Sequence, residues 1–356
     1  MVSSEKLKIL SFGAGAIGTY IGGSLALAGH EVVFVDQEVV VENLKQTGLT
    51  LDLRLDKRRG EKGIFNIKDP AVSFESSLDA ALARGPFDVS LFALKSFDTA
   101  SALEGIRGMA AKIPPVLCLQ NGVDNELTIA SVLGANRVIY GTITSAVGRQ
   151  AVGNSVLEKL RGMGVSAGHP MSERLVSALD GALLDARLYP TAADMKWSKM
   201  LTNLVANASS AILDMSAGEI FSHPGLFHME MRMLKETLAV MSAQGIHVID
   251  LPKTPVRSLA MGTRLPAFIS RPLMKKAIGG GRGGKMPSFH IDLHAGRGKS
   301  EVDYLNGAVV RAGEKLGIPT PVNKSLTDTL LALTRGQQSM DTYSRKPEKL
   351  LELIPG

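Results

Sequence analysis

The apolar run Leu7–Phe12 leads straight into Gly13-Ala14-Gly15-Ala16-Ile17-Gly18, and the small-residue stretch Ala16–Ala28 follows. A glycine-spaced turn between a strand and a helix leaves few folds open. Gly13 permits the tight turn, Gly15 removes a side chain where a pyrophosphate would approach the backbone, and Gly18 lets helix and strand lie close. The helix start offers N–H donors and partial positive charge to a phosphate. Gly13, Gly15, Ala16, Ile17 and Gly18 are therefore cofactor-binding candidates. The competing reading is a tight turn without a ligand. An acid at the end of the second strand, Asp36, eighteen residues past Gly18, favours the dinucleotide.

Short apolar strands are expected at Glu31–Val35, Asp88–Leu94 and Pro115–Leu119, with a helix at Thr99–Ala110 between the last two. Strands alternating with helices predict an α/β chain with a Rossmann-type, doubly wound parallel sheet. Arg137–Val147 adds β-branched residues as the far edge of that sheet. Past Pro190 the pattern turns helical, at Asp194–Leu213, Leu226–Gln244 and Ser300–Leu316. A chain of 356 residues exceeds what one core usually supports, roughly 250–300. Two domains are expected: a dinucleotide-binding domain over 1–190 and an all-helical substrate and catalytic domain over 191–356.

Composition, 45% hydrophobic and 21% charged, is that of an ordinary globular protein. The single cysteine, Cys118, excludes an internal disulfide and reads as a small buried hydrophobe. No apolar run approaches the ~20 residues of a membrane span, and the N-terminus lacks a leader-like apolar core, so a cytoplasmic protein is expected. The net charge of +6 is local: Lys253–Lys285 holds eight basic residues and no acidic one, leaving the rest slightly negative. With only Phe268 available for base stacking, the segment suits a mobile basic flap attracting a small anion better than a nucleic-acid surface.

Four further places offer chemistry. On a helix over Asp194–Leu213, Lys196, Lys199, Asn203, Asn207 and Ser210 fall within a wedge of about 80°. The stripe reads equally as a solvated face or as a ligand-binding one, although two mid-helix asparagines are poor helix formers. Asn121 follows the strand Pro115–Leu119, and Lys95 follows Asp88–Leu94, where ligands of open parallel sheets bind. An Asn-Gly turn and a solvated loop lysine are the alternatives. Ser300 with Asp303 has the form of a capping box, placing Glu301 in a first helical turn. Two near-motifs carry little. Gly279–Lys285 approaches a P-loop but has Met286 where a hydroxyl is needed. His290-Ile291-Asp292-Leu293-His294, read as extended, gathers no ligand cluster, so no metal is expected.

The ordered set GAGAIG, ALKSFDT, LQNGVDNE, KWSKMLTNLVANASSAI, PSFHID, SEVDYLNG and GEKLGIPTPVN resembles the ketopantoate reductase (2-dehydropantoate 2-reductase) family, from about residue 7 to about residue 325. The resemblance implies a Rossmann domain, a helical domain and a site in the cleft between them. It implies a catalytic role for Lys199, with Glu301 as its acidic partner. Asn121, Asn203 and Ser288 match substrate-holding positions, and Asn207 a second asparagine grouped with them. Lys95 matches a lysine on the cofactor side, where Asn121 also lies. The expected partner is a small anionic 2-oxoacid; nucleic acid and membrane are not expected, and a homodimer is left open.

The sequence departs from the family pattern in two places. Gln37 stands where a basic residue often meets the 2′-phosphate of NADP; with Asp36 before it, NAD is favoured over NADP, unless Lys45 or Arg54 folds back to supply the charge. Gly298 reads as an insertion between Ser288 and Glu301, and the basic segment is long. The oxoacid is therefore less defined than the reaction. A D-2-hydroxyacid dehydrogenase acting on a branched or aromatic oxoacid is the near alternative. A non-catalytic dinucleotide sensor is the distant one, and it would need neither Lys199 nor Glu301.

Overall fold

Twelve strands and the helices between them build the described residues of the chain. The structure, a computed structural model, describes residues 5–61, 63–282 and 286–354, and the side chains of all of these except 277–282. The strands are β1 (Lys8–Phe12), β2 (Glu31–Val35), β3 (Leu49–Asp52), β4 (Ile64–Ile67), β5 (Val72–Glu75), β6 (Val89–Phe92), β7 (Val116–Cys118), β8 (Val138–Ile143), β9 (Ala146–Ala151), β10 (Asn154–Lys159), β11 (Met163–Ser166) and β12 (Ala186–Tyr189). The chain divides into two compact units: Met1–Lys196 with Leu251–Thr254, and Trp197–Asp250 with Pro255–Gly356. The division falls inside the helix Ala192–Leu204, six residues beyond Pro190.

The first unit contains an eight-stranded sheet in the order β12-β11-β8-β7-β6-β1-β2-β5. Every neighbouring pair in it is parallel except β8–β11. The strand pattern explains why both faces are covered. Ile9, Val32 and Phe34 point into one apolar cluster, while Leu10, Phe12, Val33 and Phe92 point into the other. Alternate residues of one strand thus feed two cores, as in a sheet flanked by helices. Cys118 lies in the second cluster, and burial pushes its thiol well above the ordinary range, with Glu126 adding to the effect.

Two sequence expectations need correction here. Arg137–Val147 is not a sheet edge: β8 has β7 on one side and β11 on the other, and β9 leaves for a second sheet. The sequence does not announce that sheet, β4-β3-β10-β9, because β9 carries Gly and Arg and buries none of its residues, and β10 ends in Glu158 and Lys159. The basic segment is also not a single flap. Lys253 belongs to the first unit and pairs with Asp185 at 2.6 Å, while Val256–Gly262 and Ala267–Arg282 are helices of the second. The side chain of Arg282, Lys285 and the P-loop-like tract through Gly283 and Gly284 lie outside the described residues.

His30 ties the start of β1 to the end of the first helix. It is 4% exposed, and its Nδ1 accepts the N–H of Leu7 at 3.0 Å. Burial, with Arg174 and Lys6 adding positive charge, lowers its pKa below the ordinary 6.5. The unfolded chain therefore binds a proton that the folded chain refuses, and stability falls as pH drops below about 6.5 toward the folded value. We expect the melting temperature to decline from pH 7 to pH 5, and His30→Asn, which keeps an acceptor without the titration, to show a shallower decline. Equal slopes in thermal melts of the two proteins would remove His30 from this role.

The second unit is helical. Its longest helix, Pro224–Ala243, starts with proline in its first turn and packs against Asn306–Leu316 and Pro321–Thr334. The expected uninterrupted helix over Asp194–Leu213 is two helices, Ala192–Leu204 and Asn207–Leu213, joined at Ala206 in a left-handed conformation (φ 49°). The fully buried carboxylate of Glu230 enforces the break. It accepts the N–H of Ala206 at 2.8 Å and the hydroxyl of Ser209 at 2.5 Å. The expected helix over Ser300–Leu316 is likewise divided, into a 3₁₀ turn Glu301–Tyr304 and a helix Asn306–Leu316. Its capping box does not form. Ser300 Oγ accepts from Val302 at 3.2 Å, and Asp303 is drawn instead to Arg311 at 2.8 Å.

Candidate active site

The glycine turn sits at the carboxyl end of β1, in the first unit. Gly13 takes φ +89°, and its N–H donates to Val35 O at 3.0 Å. A Cβ on Gly18 would lie 2.1 Å from Gly13 O, so the turn closes only with glycine there. A Cβ on Gly15 would meet nothing within 4 Å, which leaves open space above the loop. Gly15 is the N-cap of the helix Ala16–Leu27 and brings no side chain to its first N–H groups. Ala16 and Ile17 form that first turn. The loop has the shape and the donors to receive a pyrophosphate.

Asp36 lies at the end of β2, part-buried. One carboxylate oxygen accepts Ala14 N–H at 2.7 Å and the other accepts Gln37 N–H at 2.8 Å. The acid is therefore fastened to the glycine loop itself. Gln37 is exposed and precedes the helix Glu38–Thr47, whose last turn holds Lys45. Arg54 is bidentate on Asp52, at 2.9 and 2.5 Å.

Lys95 and Asn121 follow β6 and β7; β6 lies next to β1 in the sheet, and β7 next to β6. Their loops are knitted together by residues whose roles the sequence did not disclose. Gln120 donates to Leu94 O at 3.0 Å and to Thr99 Oγ1 at 2.8 Å. Asn125 donates to Asn121 O at 2.6 Å and to Ser96 Oγ at 3.2 Å. Beneath them Lys196, 4% exposed, donates to Gln120 O at 2.8 Å and to Gly141 O at 3.3 Å, and lies 2.6 Å from Glu126 Oε1. Burial works to lower the pKa of Lys196, but the charge and hydrogen bond of Glu126, with Cys118 and Tyr140 adding to them, together outweigh it and hold the ammonium above the ordinary lysine value. Lys196 is thus a buried strut under the Asn121 loop, not a member of a polar stripe with Lys199.

In the second unit the stripe is cut at Ala206. Lys199 and Asn203 remain half-buried, one helical turn apart, on Ala192–Leu204. Asn207 starts the next helix and is 4% exposed; Ser210 is fully buried. Asn207 Oδ1 accepts Phe289 N–H at 3.1 Å, and its Nδ2 donates to Ser288 Oγ at 3.4 Å. Asn207 and Ser288, distant in sequence, are thereby brought together. Glu301 opens its 3₁₀ turn at 3% exposure.

The segment with His290 and His294 is a helix, Ser288–His294, and not extended. The two rings stack at 4.0 Å with 25° between planes, and both Nε2 atoms face Asp214, at 2.7 and 3.9 Å. The expectation of no ligand cluster is corrected on that ground: helical spacing puts both rings on one face, and Asp214 arrives from another segment.

With this geometry in view, residues 9–167 match the family described as "Ketopantoate reductase PanE/ApbA", and residues 192–334 match "Ketopantoate reductase PanE/ApbA C terminal". The 2-dehydropantoate 2-reductase of Archaeoglobus fulgidus is 26% identical over 336 residues, covering 93% of this chain and 98% of the relative. That of Streptococcus pyogenes serotype M3 is 25% identical over 329 residues, covering 90% and 95%. A PanE/ApbA family ketopantoate reductase from Ralstonia eutropha JMP134 superposes with a TM-score of 0.75 at 27% identity, over 93% of this chain and all of the other. D-mandelate dehydrogenase in complex with NADH has the same fold, with a TM-score of 0.72 at 21% identity over 93% of this chain and all of the other.

Proposed function

This chain belongs to the ketopantoate reductase family, and from that premise we propose that it reduces 2-dehydropantoate, or a close branched 2-oxoacid, to the 2-hydroxyacid with a reduced nicotinamide cofactor. The reaction class, nicotinamide-dependent reduction of a 2-oxoacid, comes with the family. The observation that carries the reading of this chain is the glycine loop closed over Asp36, in a unit joined to one that bears Lys199 and Glu301.

Bound nicotinamide supplies the hydride that the keto carbon accepts. The work of this chain's residues is then electrostatic and acid–base. As the carbon takes the hydride its oxygen becomes an alkoxide, and Lys199 as an ammonium stabilises that charge and gives it a proton, leaving a neutral amine. Glu301, buried, orients Lys199. Asn203 and Ser288 hold the oxoacid, and Asn207 sets the Ser288 hydroxyl through the 3.4 Å contact. The resemblance assigns Asn121 to substrate and cofactor and Lys95 to the cofactor, and both lie in the first unit, after β7 and β6. Purified protein assayed against 2-dehydropantoate and a panel of branched and aromatic 2-oxoacids tests the substrate; highest kcat/KM for 2-dehydropantoate supports the reading, and strong preference for an aromatic oxoacid overturns it.

NAD is the proposed cofactor. A carboxylate at Asp36 accepts from ribose hydroxyls but repels a 2′-phosphate, and like charges brought together cost several kcal/mol. Gln37 brings no charge, Arg54 is committed to Asp52, and Lys45 sits at the far end of its helix. Discrimination of this kind rests on a repulsive element. We expect kcat/KM for NADH to exceed that for NADPH, and Asp36→Ala with Gln37→Arg to reverse the order. A wild-type preference for NADPH of about tenfold, only ~1.4 kcal/mol, would overturn this assignment.

A further inference from the structure

The cluster formed by Asp214, His290 and His294 has no task in the reaction just described. Its three candidate ligand atoms lie within 4.8 Å of one another. His290 and His294 occupy positions i and i+4 of the helix Ser288–His294, the spacing by which paired histidines on one helical turn chelate zinc. Asp214 is the residue after the helix Asn207–Leu213, held in a left-handed conformation (φ 49°) that ends the helix beside the rings.

The three groups converge closely enough to share one ion. One carboxylate oxygen faces two Nε2 atoms, at 2.7 Å and 3.9 Å. A hydrogen bond satisfies the nearer ring only; 3.9 Å is beyond hydrogen-bonding range. Tetrahedral zinc, with bonds of about 2.0–2.2 Å, sets its ligands roughly 3.3 Å apart. The two observed distances straddle that value, and the rings, now stacked with 25° between planes, would also turn so that both Nε2 lone pairs converge on the ion. Two imidazoles and a carboxylate suit a first-row divalent transition ion, whereas Ca²⁺ and Mg²⁺ prefer an all-oxygen shell. Arg345 does not take up the Asp214 carboxylate. Its guanidinium donates to Asp214 O at 3.4 Å and pairs with Glu219 at 2.6 Å.

We propose that Asp214, His290 and His294 form a zinc-type metal site, completed by water, that fastens the helix Ser288–His294 to the end of the helix Asn207–Leu213. The same two helices carry the Asn207–Ser288 contact at their starts, so the ion would clamp the pair that frames it. The metal site itself does not depend on the oxoacid reading and is tested without turnover.

The test is titration of the chelator-treated full chain with Zn²⁺, read by calorimetry and by thermal melts. One equivalent should bind and raise the melting temperature. His294→Ala, at a 40% exposed side chain, removes a ligand without opening the core and should weaken binding by at least ~10-fold and abolish the rise. His290→Ala should do the same, while His228→Ala, an exposed histidine elsewhere, should bind as the wild type does. Mg²⁺ should give no shift. Wild-type affinity in both His290→Ala and His294→Ala, or loss of the same affinity in His228→Ala, would overturn the site. So would a wild-type protein that Zn²⁺ does not bind.

Discussion

Replacing Lys199 with alanine should lower kcat by about 10²–10⁴-fold and leave cofactor binding unchanged. The ammonium is assigned both the stabilisation of the alkoxide and the transfer of its proton, so its loss is felt in the transition state and little in the ground state. KM should therefore move less than kcat. Lys199 is half-buried on Ala192–Leu204, a helix whose neighbours Met195, Met200, Leu201 and Leu204 hold the core. Alanine is the best helix former, so the fold should survive the exchange. Circular dichroism and NADH titration check the fold and the cofactor; a variant keeping more than about a tenth of wild-type kcat is not missing its acid.

The largest stability effect is expected at Glu126. Its side chain is fully buried, 2.6 Å from the Lys196 ammonium, which is 4% exposed. A buried ion pair is weak evidence for stability, because desolvation offsets much of the attraction. Breaking it from one side is different, because it leaves a charge without its partner. Glu126→Ala should destabilise the protein by ~3–5 kcal/mol. Lys196→Met together with Glu126→Leu should restore much of that loss, since both charges go and volume is kept. In the same denaturant series, a single variant within 1 kcal/mol of wild type would contradict the argument. Lys196 also holds Gln120 O at 2.8 Å, so the double variant should loosen the Asn121 loop and raise the oxoacid KM even where stability returns.

What the sequence disclosed follows from what is local. The glycine loop is legible because its constraints are within one turn: Gly13 needs its positive φ, and Gly18 its missing Cβ. β1, β2, β6 and β7 are legible because buried strands write short apolar runs bounded by turn residues. The break at Ala206 is not, because alanine favours helix and the group that breaks it, Glu230, lies 24 residues away. Lys196 looked like one member of a stripe with Lys199 for the same reason: nothing nearby in sequence announces the Glu126 carboxylate. Ser288 and Asn207 could be singled out one at a time, but their meeting is tertiary. The His290 and His294 pair reads as extended from sequence because the seven residues Ser288–His294 do not fix a period, and Asp214 comes from 76 residues upstream.

The proposed reaction of this chain is hydride transfer from nicotinamide to the keto carbon of a 2-oxoacid. It is tested most directly by giving the purified protein reduced nicotinamide deuterated at the transferring position, with 2-dehydropantoate, and recording the mass and proton spectra of the product. The expected product is a 2-hydroxyacid carrying one deuterium on carbon 2, formed in step with cofactor oxidation and absent with Lys199→Ala over the same interval. Cofactor oxidation with no deuterium on that carbon, or no reaction with any oxoacid of the panel, would contradict it.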